Sequence, residues 1–328
     1  MPSKITYNYI IFGATGFYEI AYRDLFALPN VLYLRDYRQT IKSPLARLMT
    51  RLTFSQKINN IMAYPFRNFT FPRLLSFGFP EDKPLCFILF GINAFLFQSP
   101  YFSYLKHQYP QAKFVLYLQD IVARNKTLDV IYAKQQFNYI FSYDKGDCKK
   151  YGFIYHPTPY SLYSIPENPA INESDLFFCG KGKDRCETIQ SIYKLCTEKG
   201  LVCDFYITDV PPTLSRMDGI HYNRSLSYIE YLMHVKKTKC ILEIMQSGAD
   251  GFTPRLWESI VFNKHLLSNN SELTHSPFFR TQYVHLLQDN NNSVNEWINE
   301  PVEAPTSKIL ESISPRTLID HIEKKLNS

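Results

Sequence analysis

Short runs of apolar residues alternate with helix-like segments along almost the whole chain. The predicted strands are residues 7–12, 31–34, 85–90, 113–118 and 139–142, and later 176–179, 202–207, 240–244, 265–267 and 283–287. Continuous apolar strands separated by helices are typical of a parallel sheet that is covered on both faces. The alternation therefore predicts an α/β fold.

Residues 156–175 interrupt this alternation with four prolines and no helical period, which indicates a linker. The chain has 328 residues, more than the roughly 100 to 200 residues that are usual for one domain. We therefore predict two Rossmann-like domains, residues 1–160 and residues 176–328, joined by a linker of residues 161–175.

The seven cysteines are scattered and include no Cys-x-x-Cys pair, so neither a disulfide framework nor a zinc site is indicated. The chain begins Met1-Pro2-Ser3-Lys4 without a signal-peptide core, and no run approaches the roughly 18 apolar residues of a membrane span. We expect a cytoplasmic protein.

A long basic stretch lies between Tyr37 and Pro80, with seven basic residues and no acidic one among many aromatic and aliphatic residues. Such a segment can dock on an anionic bilayer, where each charge contributes about 1 kcal/mol. A basic loop above an ordinary core would give the same pattern, and both interpretations stay open. The membrane interpretation places residues 38–79 peripherally on the inner membrane face. No nucleic-acid-binding module is recognisable, so we expect no nucleic-acid partner.

The most informative segment is a predicted strand, loop and helix over residues 240–262. Gly248 and Gly251 in the loop let the backbone approach a ligand closely, and Thr253 fits the cap of a helix that begins at Pro254. A helix N-terminus directs free N–H groups at an anion, which suits a diphosphate. Glu258, one turn into the helix, can accept two ribose hydroxyls.

A second loop follows the predicted strand 176–179 and also opens a helix. It contains two glycines, Gly180 and Gly182, and three basic residues, Lys181, Lys183 and Arg185. Basic side chains beside a helix N-terminus can neutralise a diphosphate. Because both loops follow strands of one predicted sheet, each strengthens the interpretation of the other.

Asp250-Gly251-Phe252, with Glu258 eight positions after Asp250, resembles the acidic-x7-Glu signature of GT-B glycosyltransferases. The usual first residue of that signature is Glu, and this chain has Asp. The wider texture is similar to bacterial capsule, exopolysaccharide and lipopolysaccharide transferases. The resemblance implies a GT-B-like α/β fold, with two Rossmann-like domains facing each other across a cleft. Residues 1–160 would bind the acceptor and residues 176–328 the donor. The implied donor-binding residues are Gly180, Lys181, Lys183, Arg185, Gly248, Asp250, Gly251, Phe252, Thr253, Arg255 and Glu258.

The resemblance further implies a hexosyltransferase that moves a sugar from a nucleotide-diphosphate sugar, UDP-linked, to a saccharide acceptor. The acceptor would be lipid-linked, in bacterial surface polysaccharide synthesis. We expect no cofactor. No Asp-x-Asp triplet occurs in the chain, and that triplet typically holds the divalent metal in the other large transferase fold, so a metal-independent reaction is favoured.

An inverting transfer needs a base for the acceptor hydroxyl. Asp120, after the predicted strand 113–118, and Glu19, after the first strand, are the best-placed catalytic candidates. Asp144 and Asp147 come next.

The turn Gly13-Ala14-Thr15-Gly16 leaves an alternative open, because it resembles the nucleotide-binding turn of short-chain dehydrogenases and sugar-nucleotide epimerases. Asp36 could then bind a ribose. Glu19 stands where the third glycine is expected, and Pro110 interrupts the only Tyr-x-x-x-Lys sequence, Tyr109 to Lys113. The alternatives are thus an NAD-dependent sugar-nucleotide epimerase or dehydratase, and a catalytically silent GT-B-like partner protein. In the GT-B interpretation the same turn helps to hold the acceptor.

Overall fold

The computed structural model describes residues 6–74, 78–124, 128–246, 251–276, 279, 283–287 and 294–328. The chain forms two compact units. The first consists of Met1–Pro157 with Pro315–Ser328, and the second of Thr158–Ser314.

The first unit is built on a parallel six-stranded sheet. Its strands run in the order β2-β1-β3-β4-β5-β6, so that β1 lies between β2 and β3. The strands are β1 (Asn8–Phe12), β2 (Val31–Leu34), β3 (Leu85–Phe90), β4 (Lys113–Leu118), β5 (Tyr139–Ser142) and β6 (Ile154–Tyr155). The central strands are buried along nearly their whole length, which explains why each is a continuous apolar run in the sequence.

Nine α-helices of the first unit are described, and short 3-10 turns accompany them. They are α1 (Phe17–Ala21), α2 (Pro44–Thr53), α3 (Gln56–Asn59), α4 (Arg67–Arg73), α5 (Ala94–Phe97), α6 (Pro100–Gln108), α7 (Val130–Gln136), α8 (Lys145–Tyr151) and, from the C-terminal part of the chain, α14 (Arg316–Leu326). The core between sheet and helices is aromatic. Phe114 packs against Phe87 and Phe102 with ring centroids 5.2 Å apart in each pair. Core packing therefore uses part of the chain's high Phe and Tyr content.

The predicted second domain, residues 176–328, differs from the structure at its C-terminal end, because α14 packs in the first unit. Leu318, Ile319 and Ile322 are buried there. The Glu323 carboxylate accepts hydrogen bonds from the Thr6 N–H at 2.7 Å and from the Tyr7 N–H at 3.3 Å, just before β1. These contacts give the backbone N–H groups of Thr6 and Tyr7 a hydrogen-bond acceptor on α14.

The second unit is also built on a parallel six-stranded sheet, in the order β12-β11-β10-β7-β8-β9. Its strands are β7 (Ser174–Lys181), β8 (Cys203–Thr208), β9 (Ile220–Tyr222), β10 (Thr238–Glu243), β11 (His265–Ser268) and β12 (Val284–Leu286). Its helices are α9 (Cys186–Glu198), α10 (Tyr228–Lys237), α11 (Pro254–Val261), α12 (Val294–Trp297) and α13 (Ser307–Ile313).

The predicted linker, residues 161–175, belongs to the second unit in the structure. Ser161 and Ile165 are buried, and the Ile165 carbonyl accepts a hydrogen bond from Lys236 Nζ at 3.2 Å. Just before this segment, the Tyr160 N–H donates to the Ile313 carbonyl at 2.7 Å. The proline-rich segment therefore stays attached to the second unit, because Ile165 is buried in it.

The basic stretch contains α2, α3 and α4, which are not among the helices predicted from the sequence. Ser43 caps α2 by accepting a hydrogen bond from the Ala46 N–H, and Pro44 occupies its first turn. Among the residues that the structure describes, no helix has the length and apolar character needed to cross a membrane.

Candidate functional site

In each sheet, the chain first adds strands on one side of its first strand, β1 or β7, and then crosses once to the other side. In the second unit the chain runs from β7 outward through β8 to β9, and then returns to the other side of β7 with β10. The loops that follow β7 and β10 therefore diverge above neighbouring strands, which is where ligands bind in open parallel sheets. Both loops singled out in the sequence follow these two strands.

Gly180 lies at the end of β7 between two arginine side chains. A Cβ atom at this position would lie 3.3 Å from Arg255 Nη2 and 3.5 Å from Arg185 Nη2. Both guanidinium groups also lie near the Phe178 ring, each 5.9 Å from its centroid. The structure thus brings together two predicted basic residues, Arg185 and Arg255, around a glycine whose missing side chain leaves room for them.

The two arginines are held by backbone carbonyls. Arg185 donates from Nη2 to the Lys181 carbonyl at 2.8 Å and from Nη1 to the Ile244 carbonyl, which joins the ends of β7 and β10. Arg255 donates from Nη2 to the Cys179 carbonyl at 2.7 Å. Its buried Nε has no hydrogen-bond partner among the described residues. Positive charge is therefore fixed in place at the point where the strand order reverses.

Lys181 and Lys183 lie at the exposed rim of these loops. Lys181 Nζ is 3.0 Å from Asp209 Oδ2, and Lys183 Nζ lies 3.5 Å from Gln246 Oε1. The second contact connects the loop after β7 with the loop after β10. Lys183 also has a positive φ of 48°, which orients the backbone at the start of the following 3-10 turn.

Thr253 caps α11, as the sequence predicts. Its hydroxyl oxygen accepts from the Arg255 N–H at 3.2 Å, and its hydroxyl donates to Glu243 Oε1. Glu243 is fully buried at the end of β10, and its other carboxylate oxygen accepts from the Ser268 hydroxyl at 2.5 Å. A buried carboxylate thereby fixes the start of the helix that carries Arg255.

Glu258 is placed differently from the expected ribose-binding carboxylate. Its side chain is buried at 1% exposure, and its two oxygens accept hydrogen bonds from the Tyr228 hydroxyl at 2.6 Å and the Tyr231 hydroxyl at 2.5 Å. The Tyr228 hydroxyl also lies 2.6 Å from the Tyr160 hydroxyl. Burial raises the pKa of Glu258, whereas the two tyrosines and the Arg255 charge act in the opposite direction. The carboxylate thus belongs to an interior network joining α10 and α11.

The other predicted donor-binding residues lie in the loop before α11. Gly248 and Asp250 fall outside the described residues. Gly251 has a φ of 105°, and its carbonyl accepts from Asn270 Nδ2 at 2.9 Å. Phe252 is buried, with its ring centroid 6.1 Å from that of Trp257. Gly251 therefore makes a turn that other residues rarely adopt, and Phe252 anchors it.

Sequence reasoning missed four residues of this region: Phe178, Tyr228, Tyr231 and Glu243. The pair Tyr228 and Tyr231 carries a usable signal, since residues three apart lie on the same face of a helix. Phe178 and Glu243 read as ordinary strand residues, because their partners lie on other strands and loops.

A cavity of about 410 Å³ lies elsewhere in the second unit, beside β8 and α10. His221 lines it and stacks on Tyr206 with ring centroids 4.5 Å apart. Asp204 and His234 also line it and hydrogen-bond to each other at 2.5 Å. None of its lining residues belongs to the loops after β7 and β10. This cavity is therefore distinct from Arg185 and Arg255 around Gly180, which we call the arginine cluster.

In the first unit the strand order reverses between β1 and β3. The Gly13-Ala14-Thr15-Gly16 turn follows β1, and the Tyr33 side chain fills it. A Cβ at Gly13 would lie 2.2 Å from Tyr33 Cζ, and the Tyr33 hydroxyl bonds both the N–H and the carbonyl of Ala14. Asp36 is held by Arg38, whose hydrogen bonds keep the pKa of this carboxyl below its usual range.

The proposed catalytic carboxylates lie in the first unit. Asp120 is exposed just after β4, and its Oδ1 accepts from the Ile121 N–H at 2.9 Å. Burial and the Asp120 charge raise the pKa of Tyr18 to about 12. Glu19, in α1, is 2.8 Å from Arg35 Nε. Asp144 caps α8, and Asp147 accepts from the Val122 N–H at 2.7 Å, so both have structural partners.

No known protein-family profile matches the sequence, and no curated protein matches it. Solved structures do resemble it. A putative UDP-N-acetylglucosamine 2-epimerase from Listeria monocytogenes has 11% identity and a TM-score of 0.50, covering 98% of this chain and 96% of its own. An α-glucosyltransferase in complex with UDP and DNA has 12% identity and a TM-score of 0.45 over 97% and 93% of the two chains. The catalytic domain of starch synthase IV from Arabidopsis thaliana has 8% identity and a TM-score of 0.45 over 75% and 73%.

The likeness to the Listeria protein extends over nearly the whole of both chains and is one of fold. Within this chain, the two parallel six-stranded sheets share one architecture, because each has a single reversal of strand order. The predicted α/β class with two Rossmann-like units is confirmed.

Proposed function

We propose that the second unit binds a nucleotide-diphosphate sugar and that the protein transfers the sugar to a saccharide acceptor. The observation that carries the proposal is the placement of Arg185 and Arg255 around Gly180, where the strand order reverses. Two fixed guanidinium groups beside an exposed lysine, Lys183, suit the two phosphates of such a donor. The same charges would stabilise the departing diphosphate as its negative charge grows.

In the proposed reaction the acceptor oxygen bonds to the anomeric carbon of the donor sugar. The bond from that carbon to the diphosphate oxygen breaks, and the nucleoside diphosphate leaves with the electron pair. For an inverting transfer the acceptor proton passes to a carboxylate. Asp120, exposed just after β4, is our first candidate for this base, and Glu19, which pairs with Arg35, is the second.

The remaining predicted donor residues enter the proposal in different ways. Lys181 and Thr253 support the arginine cluster from the rim and from the cap of α11. Gly248 and Asp250 stay in the proposed site on the strength of the sequence resemblance alone. Glu258 takes a changed role, because its oxygens already accept from Tyr228 and Tyr231. We propose that it positions these tyrosines and α11 rather than binding ribose hydroxyls directly.

The finer parts of the proposal concern the acceptor, the donor base and the metal. We propose a lipid-linked saccharide acceptor of bacterial surface polysaccharide synthesis, a UDP-linked hexose as donor, and transfer without a metal ion. Transfer of labelled hexose from its UDP-linked form to a lipid-linked acceptor, in the presence of EDTA, would support all three parts of the proposal. Transfer that requires added Mg²⁺ or Mn²⁺ would overturn the metal-independent part.

A calorimetric titration with UDP, GDP, CMP and NAD tests the donor site. We expect one of the sugar-carrier nucleotides to bind, and Lys183→Gln to weaken its binding at least roughly tenfold, as expected for loss of a charged hydrogen bond to phosphate. Gln is chosen because it removes the charge and keeps a polar side chain. Lys194→Gln is the matched control, since Lys194 is an exposed lysine on α9.

The outcome also separates the alternatives. Binding of NAD alone, indifferent to Lys183, would favour the NAD-dependent epimerase or dehydratase. The Tyr33 side chain in the Gly13 turn and the Arg38 contact to Asp36 speak against that alternative. If none of the four ligands binds, the catalytically silent partner protein is favoured.

A second candidate function is epimerisation of a UDP-linked N-acetylhexosamine at carbon 2. It is favoured by the fold likeness to the Listeria protein, which is described as a putative enzyme of that kind. This reaction needs no acceptor. Incubating the protein with UDP-N-acetylglucosamine alone and recording proton NMR spectra therefore distinguishes it from transfer, because only an epimerase would produce a new sugar nucleotide.

A further inference from the structure

The helical stretch that contains α2, α3 and α4 has an outer face that is both apolar and basic. We call it the α2–α4 surface. Ile61 is 90% exposed, Leu45 65% and Met62 61%, which is unusual for large apolar side chains in one short segment. The surface consists of exposed Leu45, Leu48, Ile61, Met62 and Phe66 with exposed Arg47, Arg51, Lys57 and Arg67.

The orientation of α2 accounts for this exposure. Its buried residues are Ala46, Thr50 and Thr53, whereas Leu45 and Leu48 lie outside. The Thr50 hydroxyl donates to the Ala46 carbonyl at 2.7 Å, so its polar group is satisfied inside. A helix on a protein surface normally buries its apolar stripe. Here the small and hydroxylated residues face the core, and Leu45 and Leu48 face outward.

The segment is nevertheless firmly packed. Phe54, just after α2, has its ring centroid 5.2 Å from that of Tyr37 and 6.0 Å from those of Phe71 and Tyr101. The exposed apolar residues are therefore held on a fixed support, and their exposure is a property of the fold.

A cavity of about 620 Å³ adjoins the apolar residues of α2 and is strongly basic. Leu48 lines it together with four arginines, Arg35, Arg38, Arg47 and Arg51. Two carboxylates offset part of this charge, since Arg35 pairs with Glu19 and Arg38 with Asp36. Arg47 instead donates from Nε to the Ile41 carbonyl at 2.6 Å, which holds its charge beside Leu48.

We infer that the α2–α4 surface docks on an anionic phospholipid bilayer. Leu45, Leu48 and Ile61 enter the interface between headgroups and acyl chains, and the arginines beside them contact lipid phosphates. The absence of acidic residues between Tyr37 and Pro80 removes repulsion from such a surface. Four of the five exposed apolar side chains of the surface are not aromatic and offer no stacking platform, which makes a nucleic acid the poorer occupant.

Vesicle flotation of the full chain tests the inference directly. We expect binding to vesicles of phosphatidylcholine mixed with phosphatidylglycerol, weaker binding to phosphatidylcholine alone, and loss of binding as salt is raised. Equal binding to both vesicle types, or none to either, would overturn the inference. The assay contains no nucleotide, so its result is independent of the proposed donor site.

Two double variants separate the apolar and the basic contributions. Leu45→Ser with Leu48→Ser, and Arg47→Glu with Arg51→Glu, should each reduce the bound fraction by roughly tenfold or more. The matched controls are Ile131→Ser, at 74% exposure on α7, and Lys149→Glu with Lys150→Glu on α8. Strand order places β5, which precedes α8, far along the sheet from β2, which precedes α2.

The controls decide whether the surface is specific. Retained vesicle binding in the controls, with unchanged melting temperatures in all variants, is the expected result. An equal loss of vesicle binding in the control variants would show that overall charge, rather than this surface, causes binding. That result would overturn the assignment. Binding to single-stranded RNA in a gel shift, abolished by the arginine variant while vesicles are not bound, would assign the surface to nucleic acid instead.

Discussion

Glu258 is a buried carboxylate with a structural role, although it lies in a region that we propose binds a ligand. It accepts hydrogen bonds from two tyrosines of α10, 30 and 27 residues before it in the chain. The sequence spacing around Glu258 predicts its helix and its turn correctly. It does not predict these partners, because their approach depends on how α10 and α11 pack against the same sheet.

The burial of Glu258 leads to a prediction about pH. Burial raises its folded-state pKa above the ordinary value of 4.5, so in the interval between the two the folded protein binds more protons than the unfolded chain. Stability from this group is present at low pH and is lost as the pH rises through the folded pKa. Glu258→Gln removes the titration and keeps the shape. The free energy of unfolding of the wild type, relative to this variant, should therefore fall as the pH rises above the ordinary value of 4.5.

Urea unfolding followed by tryptophan fluorescence measures this difference, since Trp257 and Trp297 both lie in the second unit with Glu258. Glu311→Gln, at an exposed position of α13, is the control and should show no comparable trend. A wild-type stability that rises with pH relative to Glu258→Gln would show that the folded-state pKa is not raised.

At the scale of single elements, the strands were predictable because buried parallel strands are continuous apolar runs. The predicted runs 85–90, 113–118 and 139–142 coincide with β3, β4 and β5. The helices of the basic stretch were not predictable in the same way. Leu45, Leu48, Met49 and Leu52 have the spacing of one helix face, but the buried residues of α2 are Ala46, Thr50 and Thr53, so the spacing does not predict which face is buried.

The cap of α10 offers a test at the level of one helix. Ser227 and Glu230 form a capping box, with the Ser227 hydroxyl oxygen accepting from the Glu230 N–H and the Glu230 carboxylate accepting from the Ser227 N–H. Ser227→Ala should lower the free energy of unfolding by about 1 kcal/mol, and Ser227→Gly by only a few tenths. Tyr228, the first residue of the helix, follows directly, so the loss should also loosen its contact with Glu258.

Tryptophan fluorescence in urea is again the measurement. Ser191→Ala, within the exposed part of α9, removes a hydroxyl that only bonds back to the Glu187 carbonyl. It should change stability by less than about 0.5 kcal/mol. Comparable losses for Ser191 and Ser227 would mean that the capping box contributes nothing specific.

For the molecule as a whole, α14 is the element whose position could not be predicted from sequence. Its amphipathic period indicates a helix, but two similar sheets were available to cover, and pattern alone does not choose between them. The choice depends on particular contacts. Glu323 binds the backbone before β1, and the Tyr139 hydroxyl donates to the Lys325 carbonyl at 2.7 Å.

These contacts predict unequal responses of the two units. Glu323→Ala removes the acceptor for the Thr6 N–H, the Thr6 hydroxyl and the Tyr7 N–H, which should cost the first unit about 2 to 4 kcal/mol. Both tryptophans of the chain lie in the second unit. We therefore expect an earlier urea transition by far-UV circular dichroism and an unchanged transition by tryptophan fluorescence.

Lys324→Ala is the matched control, because Lys324 is exposed on the same helix. It should shift neither transition by more than about 0.5 kcal/mol. If Glu323→Ala shifted both probes together, the two units would unfold as one cooperative body.

The position of α14 also sets the order in which the protein can be completed during synthesis. β1 leaves the ribosome before the second unit, but Glu323, which binds the backbone next to it, is made only after all of Thr158–Ser314. The second unit is contiguous and can close as soon as it has emerged, as domains generally do. The first unit therefore begins to form first and is completed last. A pause in translating the second unit prolongs the time during which the first sheet lacks α14.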